Sequence, residues 1–176
     1  VRAPVKLYSW GADLGNSHFI PAEVAGLGAR DIPRLKLKWA FAYPGAQRAR
    51  SQPTVAMGTL FVGSQDGTVY ALDAKSGCVR WTYRASAEVR TPIVLSHRDT
   101  PAMRAAPPLA LFGDIIGRAY AVNAATGKLL WKSAVDEHAT TTITGAPAYH
   151  AGRVYVPVSS LEEAAAAGGY ECCTFR

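Results

Sequence analysis

The chain has 176 residues, of which 49% are hydrophobic, and a chain of this length ordinarily makes one domain with an ample core. It contains no apolar run long enough to span a membrane. Its net charge is +6, and basic residues cluster at Arg30, Arg34, Lys36, Lys38, Arg48 and Arg50. No nucleic-acid module or aromatic-interleaved basic motif accompanies this cluster, so we exclude nucleic acid as a partner. We assign these charges to solvated turns and to a few arginines that face an anionic ligand.

In chain order, residues 1–50 read as a lead-in segment, with a weakly helical stretch from Pro21 to Leu27. Residues 51–90 are predicted as one four-stranded antiparallel unit. Its short alternating apolar runs begin at Thr54, Thr59, Thr68 and Val79, and turn signals at Met57-Gly58, 65–67 and 75–77 separate them. This pattern is typical of a β-meander.

Residues 91–143 repeat the pattern, with apolar runs that begin at Thr91, Leu109, Arg118 and Leu129. A loop from Ser96 to Pro108, which contains proline and arginine, interrupts the first hairpin. Residues 144–176 read as an incomplete third unit. Its alanine run after Leu161 predicts a short helical turn in a long loop, and long loops of this kind are usually functional.

The most informative feature is an internal repeat. Residues 71–81 read A-L-D-A-K-S-G-C-V-R-W, and residues 121–131 read A-V-N-A-A-T-G-K-L-L-W. A degenerate copy from Ala29 to Trp39 has Arg34 and Leu35 in place of Ser/Thr and Gly, so the sequence gives it little support. Repeats at this spacing stack into a propeller or solenoid, because each alone cannot bury a core. At about 40 to 50 residues per blade, the chain holds roughly three to four blades, so we expect it to be the N-terminal part of a longer protein.

In a propeller, the residues just before the innermost strands face the central channel. We interpret Pro53, Pro92 and Pro147 as equivalent markers of these strand starts, which places Arg50, Arg90 and Thr144 at the channel mouth. Two arginines and a threonine suit a planar ligand with several carboxylates, because a guanidinium binds carboxylates in bidentate fashion. The alternative is that these arginines are surface residues at the tops of blades with no ligand.

The repeat resembles the tryptophan-docking motif of the quinoprotein dehydrogenases, which use pyrroloquinoline quinone and are built on eight-bladed β-propellers. The resemblance is greatest to polyvinyl-alcohol dehydrogenases and covers nearly the whole chain. The segments that carry it are 10–13, 35–41, 63–73, 144–147, 158–163 and 170–176. The fold class that it implies is all-β, a propeller of the eight-bladed type. It also implies a periplasmic enzyme that oxidises secondary alcohol groups, including those of a polymer, and that passes electrons to a cytochrome c.

The resemblance further implies site residues. In the family, a threonine and a serine fifteen residues later bind the quinone, and a glutamate three residues after that ligates calcium. Thr144, Ser159 and Glu162 reproduce both spacings, although the sequence alone could exchange Glu162 with Glu163. An aspartate four residues before a quinone-binding arginine is matched by Asp114 and Arg118, while the alternative makes Arg118 an outward blade residue.

The family also covers its quinone with a disulfide between adjacent cysteines. Cys172 and Cys173 are adjacent, and with Arg176 at the end of the matched segment we count them among the cofactor-binding residues. The family's pair, however, precedes the Asp/Arg element, where this chain has Leu111-Phe112-Gly113. A disulfide between neighbours would form a strained ring with a non-planar or cis peptide. Cys78 is left over as a free thiol or the partner of a cysteine elsewhere.

No catalytic residue is assigned within the chain. The resemblance places the catalytic aspartate and the remaining calcium ligands beyond Arg176, and a haem c would lie on further sequence or on a partner. The competing interpretation is a non-catalytic propeller, such as an outer-membrane assembly scaffold or a sensor domain, which shares the tryptophan motifs without a quinone site. Thr144, Ser159, Glu162 and Arg118 together favour the enzyme, because a scaffold has no need of them.

Overall fold

A computed structural model describes residues 17–96 and 105–175. The resemblance at 10–13 and the cofactor prediction at Arg176 lie outside these residues. The described residues form two four-stranded antiparallel sheets and two two-stranded pairs. Helices are short and lie outside the sheets: α1 is Ala22–Ala25, a 3₁₀ turn is Ile32–Arg34, and α2 is Glu162–Ala166.

The first sheet, blade 1, is a simple meander. Its strands are β1 Thr54–Ala56, β2 Thr59–Gly63, β3 Thr68–Asp73 and β4 Val79–Arg84, in the spatial order β1-β2-β3-β4. The second sheet, blade 2, has β5 Val94–Leu95, β6 Leu109–Gly113, β7 Arg118–Asn123 and β8 Leu129–Ala134 in the same order. Both predicted meanders are therefore confirmed. The boundaries of the lead-in segment and the blades in the sequence stay predictions.

The third unit is partial. β10 Ala148–His150 and β11 Arg153–Tyr155 form a hairpin. β9 Thr141–Thr142 pairs with β12 Ser159–Ser160, immediately before α2. The helical turn predicted for the alanine run is α2.

The two blades share the same irregularity in strand pairing. In blade 1, Ala71 pairs with Trp81 but Leu72 pairs with Val79, which leaves Arg80 as a bulge. In blade 2, the corresponding bulge leaves Leu130 between Leu129 and Trp131. Asp73 holds the turn before Trp81, because its Oδ1 accepts hydrogen bonds from the Lys75 and Ser76 amides, both at 2.9 Å. These bonds, after the stronger one from Arg80, lower the pKa of Asp73.

The core lies between the blades. Phe61, Val69 and Ala71 of blade 1 pack in one buried cluster with blade 2 side chains, including Phe112 and Tyr120. Trp81 packs against this cluster and docks on blade 2. The Trp81 indole N–H donates to the Ala124 carbonyl at 3.0 Å, and its ring covers Gly127, where an added Cβ would lie 2.7 Å from the ring.

Trp39 makes the same contacts one blade earlier. Its indole N–H donates to the Ala74 carbonyl at 3.3 Å, and its ring covers Gly77. Trp39 is therefore equivalent to Trp81 in its docking, although its copy of the repeat has Arg34 and Leu35 at the turn positions. The low support that we gave it from sequence was wrong, because the docking depends on the tryptophan and on the glycine of the next repeat.

Candidate active site

A cavity of about 570 Å³ opens where the three units converge. Its lining residues are Arg50, Arg90, Pro92, Thr144, Gly145 and Ala146. The structure thus brings together three of the side chains that the sequence predicts at the channel mouth, namely Arg50, Arg90 and Thr144.

These three side chains come together because they occupy the same position in successive units. The first paired residues of the inner strands are Thr54, Val94 and Ala148. Arg50, Arg90 and Thr144 each stand four residues earlier in the sequence. The proline marker was one residue out in blade 2, because Pro53 and Pro147 immediately precede the strand whereas Pro92 lies two residues before it.

A hydrogen bond that recurs in blades 1 and 2 fixes the backbone beside Arg50 and Arg90. Ser51 Oγ accepts from the Gly63 amide at 2.9 Å and donates to the Thr91 carbonyl at 2.7 Å. Thr91 Oγ1 accepts from the Gly113 amide at 3.2 Å in the same way. The side chain before the strand is thereby locked onto the neighbouring strand in blades 1 and 2.

The third unit has neither the acceptor hydroxyl nor the donor amide of this hydrogen bond. Gly145 stands in place of the hydroxyl residue, and Pro157, which has no amide hydrogen, stands in place of the strand glycine. A Cβ at position 145 would lie 2.8 Å from the Pro157 ring. The pair therefore packs without leaving a buried donor unsatisfied.

Arg90 is held by a neighbouring carboxylate. Its Nη2 donates to Glu88 Oε2 at 3.0 Å, and the Glu88 side chain is only 7% exposed. The Arg90 Nε is buried and has no hydrogen-bond partner among the described residues. A buried donor without a partner costs about 1–3 kcal/mol, which makes this guanidinium a strong candidate for a ligand's oxygen.

The chemistry of the cavity follows from its lining. Two guanidinium groups and one hydroxyl lie beside apolar atoms of Pro92 and Ala146. Guanidinium groups bind carboxylates with short, charge-assisted hydrogen bonds, and apolar walls suit the faces of a flat ring system. A planar ligand that bears carboxylates fits this lining.

Ser159 and Glu162 lie on the segment that follows the β10–β11 hairpin. Ser159 is exposed and pairs with Thr142. The Glu162 carboxylate is buried and accepts hydrogen bonds from the Thr174 amide at 2.6 Å, the Phe175 amide at 3.1 Å, the Ser160 hydroxyl at 3.0 Å and the Thr174 hydroxyl. These bonds, the one from the Thr174 hydroxyl first, lower the pKa of Glu162 to about 2.

The described residues around Glu162 do not form a calcium site by themselves. The carboxylate oxygens already accept bonds from the chain, and His138 Nε2 lies 3.8 Å from Oε1. In the described part of the chain, there is no group of three or more His, Cys, Asp or Glu side chains that could hold a metal. Calcium requires six to eight oxygen ligands, so the calcium prediction stays a prediction that needs ligands from elsewhere.

Arg118 is not among the residues that line the cavity. Asp114, four residues earlier, is fully buried and accepts from the Arg118 amide at 3.0 Å and from the Tyr120 hydroxyl at 2.6 Å. The predicted Asp/Arg element therefore builds the β6–β7 turn. The Arg118 Nε is buried without a partner within the described ranges, so its role in ligand binding stays a prediction.

Cys172 and Cys173 are joined by a disulfide, and Cys78 is exposed and free. The Cα atoms of Cys172 and Cys173 are 3.8 Å apart, and residues 17–96 and 105–175 contain no cis peptide bond, so the peptide between the two cysteines is trans. The next residue, Thr174, is the one that Glu162 holds. The bonds between Thr174 and Glu162 could not be predicted from the sequence. The Glu88–Arg90 ion pair was also missed, although an acidic residue two positions before a candidate ligand-binding arginine was a signal for it.

Comparison with known proteins identifies the family. The model of the PQQ_2 family, described as outer membrane protein assembly factor BamB, matches residues 16–167. The chain belongs to this family. The PQQ_2 chain is 44% identical over its whole length to a polyvinylalcohol dehydrogenase of Pseudomonas sp, of which it covers 27%. It is 42% identical over 95% of its length to the polyvinylalcohol dehydrogenase of Sphingopyxis sp. (strain 113P3), of which it covers 25%.

The fold is that of the same group of proteins. The crystal structure of quinohemoprotein alcohol dehydrogenase from Comamonas testosteroni matches 90% of the PQQ_2 chain with a TM-score of 0.72 at 22% identity, and the match covers 24% of that chain. The predicted quinoprotein-type β-propeller is thus confirmed. The chain spans about a quarter of the length of the curated relatives it matches. None of the described helices is long and apolar enough to cross a membrane.

Proposed function

We propose that this chain forms part of the quinone site of a periplasmic alcohol dehydrogenase that acts on secondary alcohol groups, including those of a polymer such as polyvinyl alcohol, and passes electrons to a cytochrome c. The observation that carries the proposal is the cavity where Arg50, Arg90 and Thr144, equivalent residues of three successive units, converge. The similarity to two polyvinylalcohol dehydrogenases supports the substrate class.

In this proposal, the chain binds and orients pyrroloquinoline quinone. Arg50 and Arg90 bind its carboxylates, and the Thr144 hydroxyl donates to a ring oxygen or a carboxylate. When bound, pyrroloquinoline quinone would supply the two-electron oxidation of the alcohol. The apolar edges of Pro92 and Ala146 exclude water from the ring faces, which strengthens the bonds from the arginines.

The resemblance extends the site beyond the cavity. We include Arg118 and Ser159 as further quinone-binding residues, Arg176 at the end of the matched segment, and the Cys172–Cys173 disulfide as a cover. The base that removes the alcohol proton is not assigned to this chain.

The direct test is quinone affinity and dye-linked alcohol oxidation in the full-length protein. Arg50→Ala, Arg90→Ala and Thr144→Val should each weaken the binding of pyrroloquinoline quinone. For the arginines, the loss of a charged hydrogen bond of about 1.5–3 kcal/mol corresponds to about a ten- to hundredfold rise in Kd. Arg153→Ala is the control, because Arg153 is exposed on β11. Equal affinity in all four variants would refute the assignment.

The calcium prediction has a separate test. Glu162→Gln and its neighbour Glu163→Gln are matched variants, since Glu162 is buried among its donors and Glu163 is exposed. If Glu162 ligates calcium in the full-length protein, calcium-dependent reconstitution weakens in Glu162→Gln and not in Glu163→Gln. Equal calcium dependence in the two variants would leave Glu162 with the structural role that its hydrogen bonds give it here.

A second candidate function is a non-catalytic scaffold, which the description of the family model favours. A scaffold requires the blades and their docking tryptophans but not the charged cavity. Arg50→Ala and Arg90→Ala would then leave every function of the protein intact. The absence of quinone binding at micromolar concentration in the full-length protein would favour this second candidate.

A further inference from the structure

The segment from Ala87 to Arg90 connects blade 1 to blade 2 at the edge of the cavity. It is bonded to both blades: the Val89 amide donates to the Ser64 carbonyl at 3.1 Å, and the Glu88 carbonyl accepts from the Ile115 amide at 3.0 Å. Val89 is fully buried against Gly63, where an added Cβ would lie 2.5 Å from Val89 Cγ1. The orientation of this segment is therefore fixed by its central residue.

Glu88 and Arg90 flank Val89 in the sequence, and their side chains lie on the same side of the segment. Glu88 and Arg90 meet there, with Glu88 Oε2 and Arg90 Nη2 3.0 Å apart. Arg90 lines the cavity, whereas the Glu88 side chain is almost completely enclosed. The Glu88 carboxylate thus binds Nη2 of the Arg90 guanidinium, and the other N–H groups of Arg90 are left for other partners.

The other two units lack this carboxylate. The residue two positions before Arg50 is Arg48, and the residue two positions before Thr144 is Thr142. Among the described residues, no ion pair to Arg50 is present, and that side chain is exposed. We propose that Glu88 is a positioning residue, which fixes the guanidinium of Arg90 so that this arginine, rather than Arg50, sets the orientation of a carboxylate-bearing ligand. This inference rests on the proposed quinone site.

Whether removal of the Glu88 carboxylate raises or lowers the affinity for an anionic ligand distinguishes a positioning role from a purely electrostatic one. Removing a negative charge beside a cationic cavity should tighten the binding of an anion if charge alone matters. If Glu88 positions Arg90, Glu88→Ala should instead weaken the binding of pyrroloquinoline quinone to the full-length protein. We expect a loss of about tenfold in affinity, the lower end of the loss that follows removal of a residue that orients a metal ligand. Glu88→Gln keeps the hydrogen-bond acceptor and should bind at least as tightly as wild type.

A double-mutant cycle distinguishes positioning of Arg90 from a general structural role of Glu88. The effect of Glu88→Ala should disappear when Arg90 is already alanine and should persist when Arg50 is already alanine. Persistence in the Arg90→Ala background, or tighter binding by Glu88→Ala itself, would overturn the proposal.

A ligand-free measurement keeps the inference separate from the proposed function. Phenylglyoxal modifies accessible guanidinium groups, and peptide mass spectrometry gives the rate at each arginine. Glu88→Ala should raise the rate at Arg90 and leave the rate at Arg50 unchanged, whether or not quinone binds. An unchanged rate at Arg90 would overturn the proposal even if the quinone site is real. If wild type binds no quinone but the rate at Arg90 rises as expected, the proposed function fails while Glu88 still positions Arg90.

Discussion

The contact between Trp81 and Gly127 predicts a large and specific effect of one methyl group. Gly127 has φ +73° and lies under the Trp81 ring, so Gly127→Ala meets two penalties. A left-handed backbone costs an alanine about 1–2 kcal/mol, and forcing a methyl group into a packed interface costs about 1–3 kcal/mol. The expected loss in the free energy of unfolding is the sum, about 2–5 kcal/mol.

Gly152→Ala is the matched control. Gly152 has φ +78° in the β10–β11 turn, but nothing lies within 4 Å of an added Cβ. This variant should lose only the conformational part, about 1–2 kcal/mol. The assay is urea unfolding of the full-length protein with both variants, and additionally of Gly127→Ala combined with Trp81→Leu, which should recover part of the loss. Equal losses for Gly127→Ala and Gly152→Ala would refute the docking of Trp81 on the next blade.

Three other predictions concern buried polar groups. Ser51→Ala leaves the buried Gly63 amide without its acceptor and should cost about 1–3 kcal/mol in urea unfolding, and an unchanged midpoint would contradict the hydrogen bond. Burial, followed by the bond to Asp114, raises the pKa of Tyr120 from 10.0 to about 12, so stability should fall as the pH rises from about 10 to 12 and this slope should be smaller in Tyr120→Phe. The pKa of Glu162 is lowered from 4.5 to about 2, so its contribution is lost as the pH falls through that range, and exchange at the Thr174 amide should then rise in wild type but not in Glu162→Gln.

The blades could be predicted from the sequence because their signals are local. Alternating apolar runs and glycine turns specify the strands of a meander, and the repeat puts each tryptophan in register with the last. The channel-mouth residues followed from the same regularity, even though the proline used as a marker was displaced by one residue in blade 2.

The contacts that escaped sequence analysis join distant parts of the chain. Trp39 docks on Gly77 across 38 positions, and its own repeat motif had lost the turn residues that would have identified it. Glu162 is held by Thr174 and Phe175 beyond the alanine run, where no periodicity relates the partners. Loop packing of this kind depends on tertiary structure, which a motif at fixed spacing cannot encode.

In our proposal, Arg50, Arg90 and Thr144 bind a quinone in the cavity between the blades. The most direct measurement is a crystal structure of the full-length protein with pyrroloquinoline quinone bound. We expect quinone oxygens within about 2.7–3.2 Å of the Arg90 guanidinium and of Arg50 or Thr144. A quinone bound elsewhere, with these three side chains making no contact to it, would contradict the account.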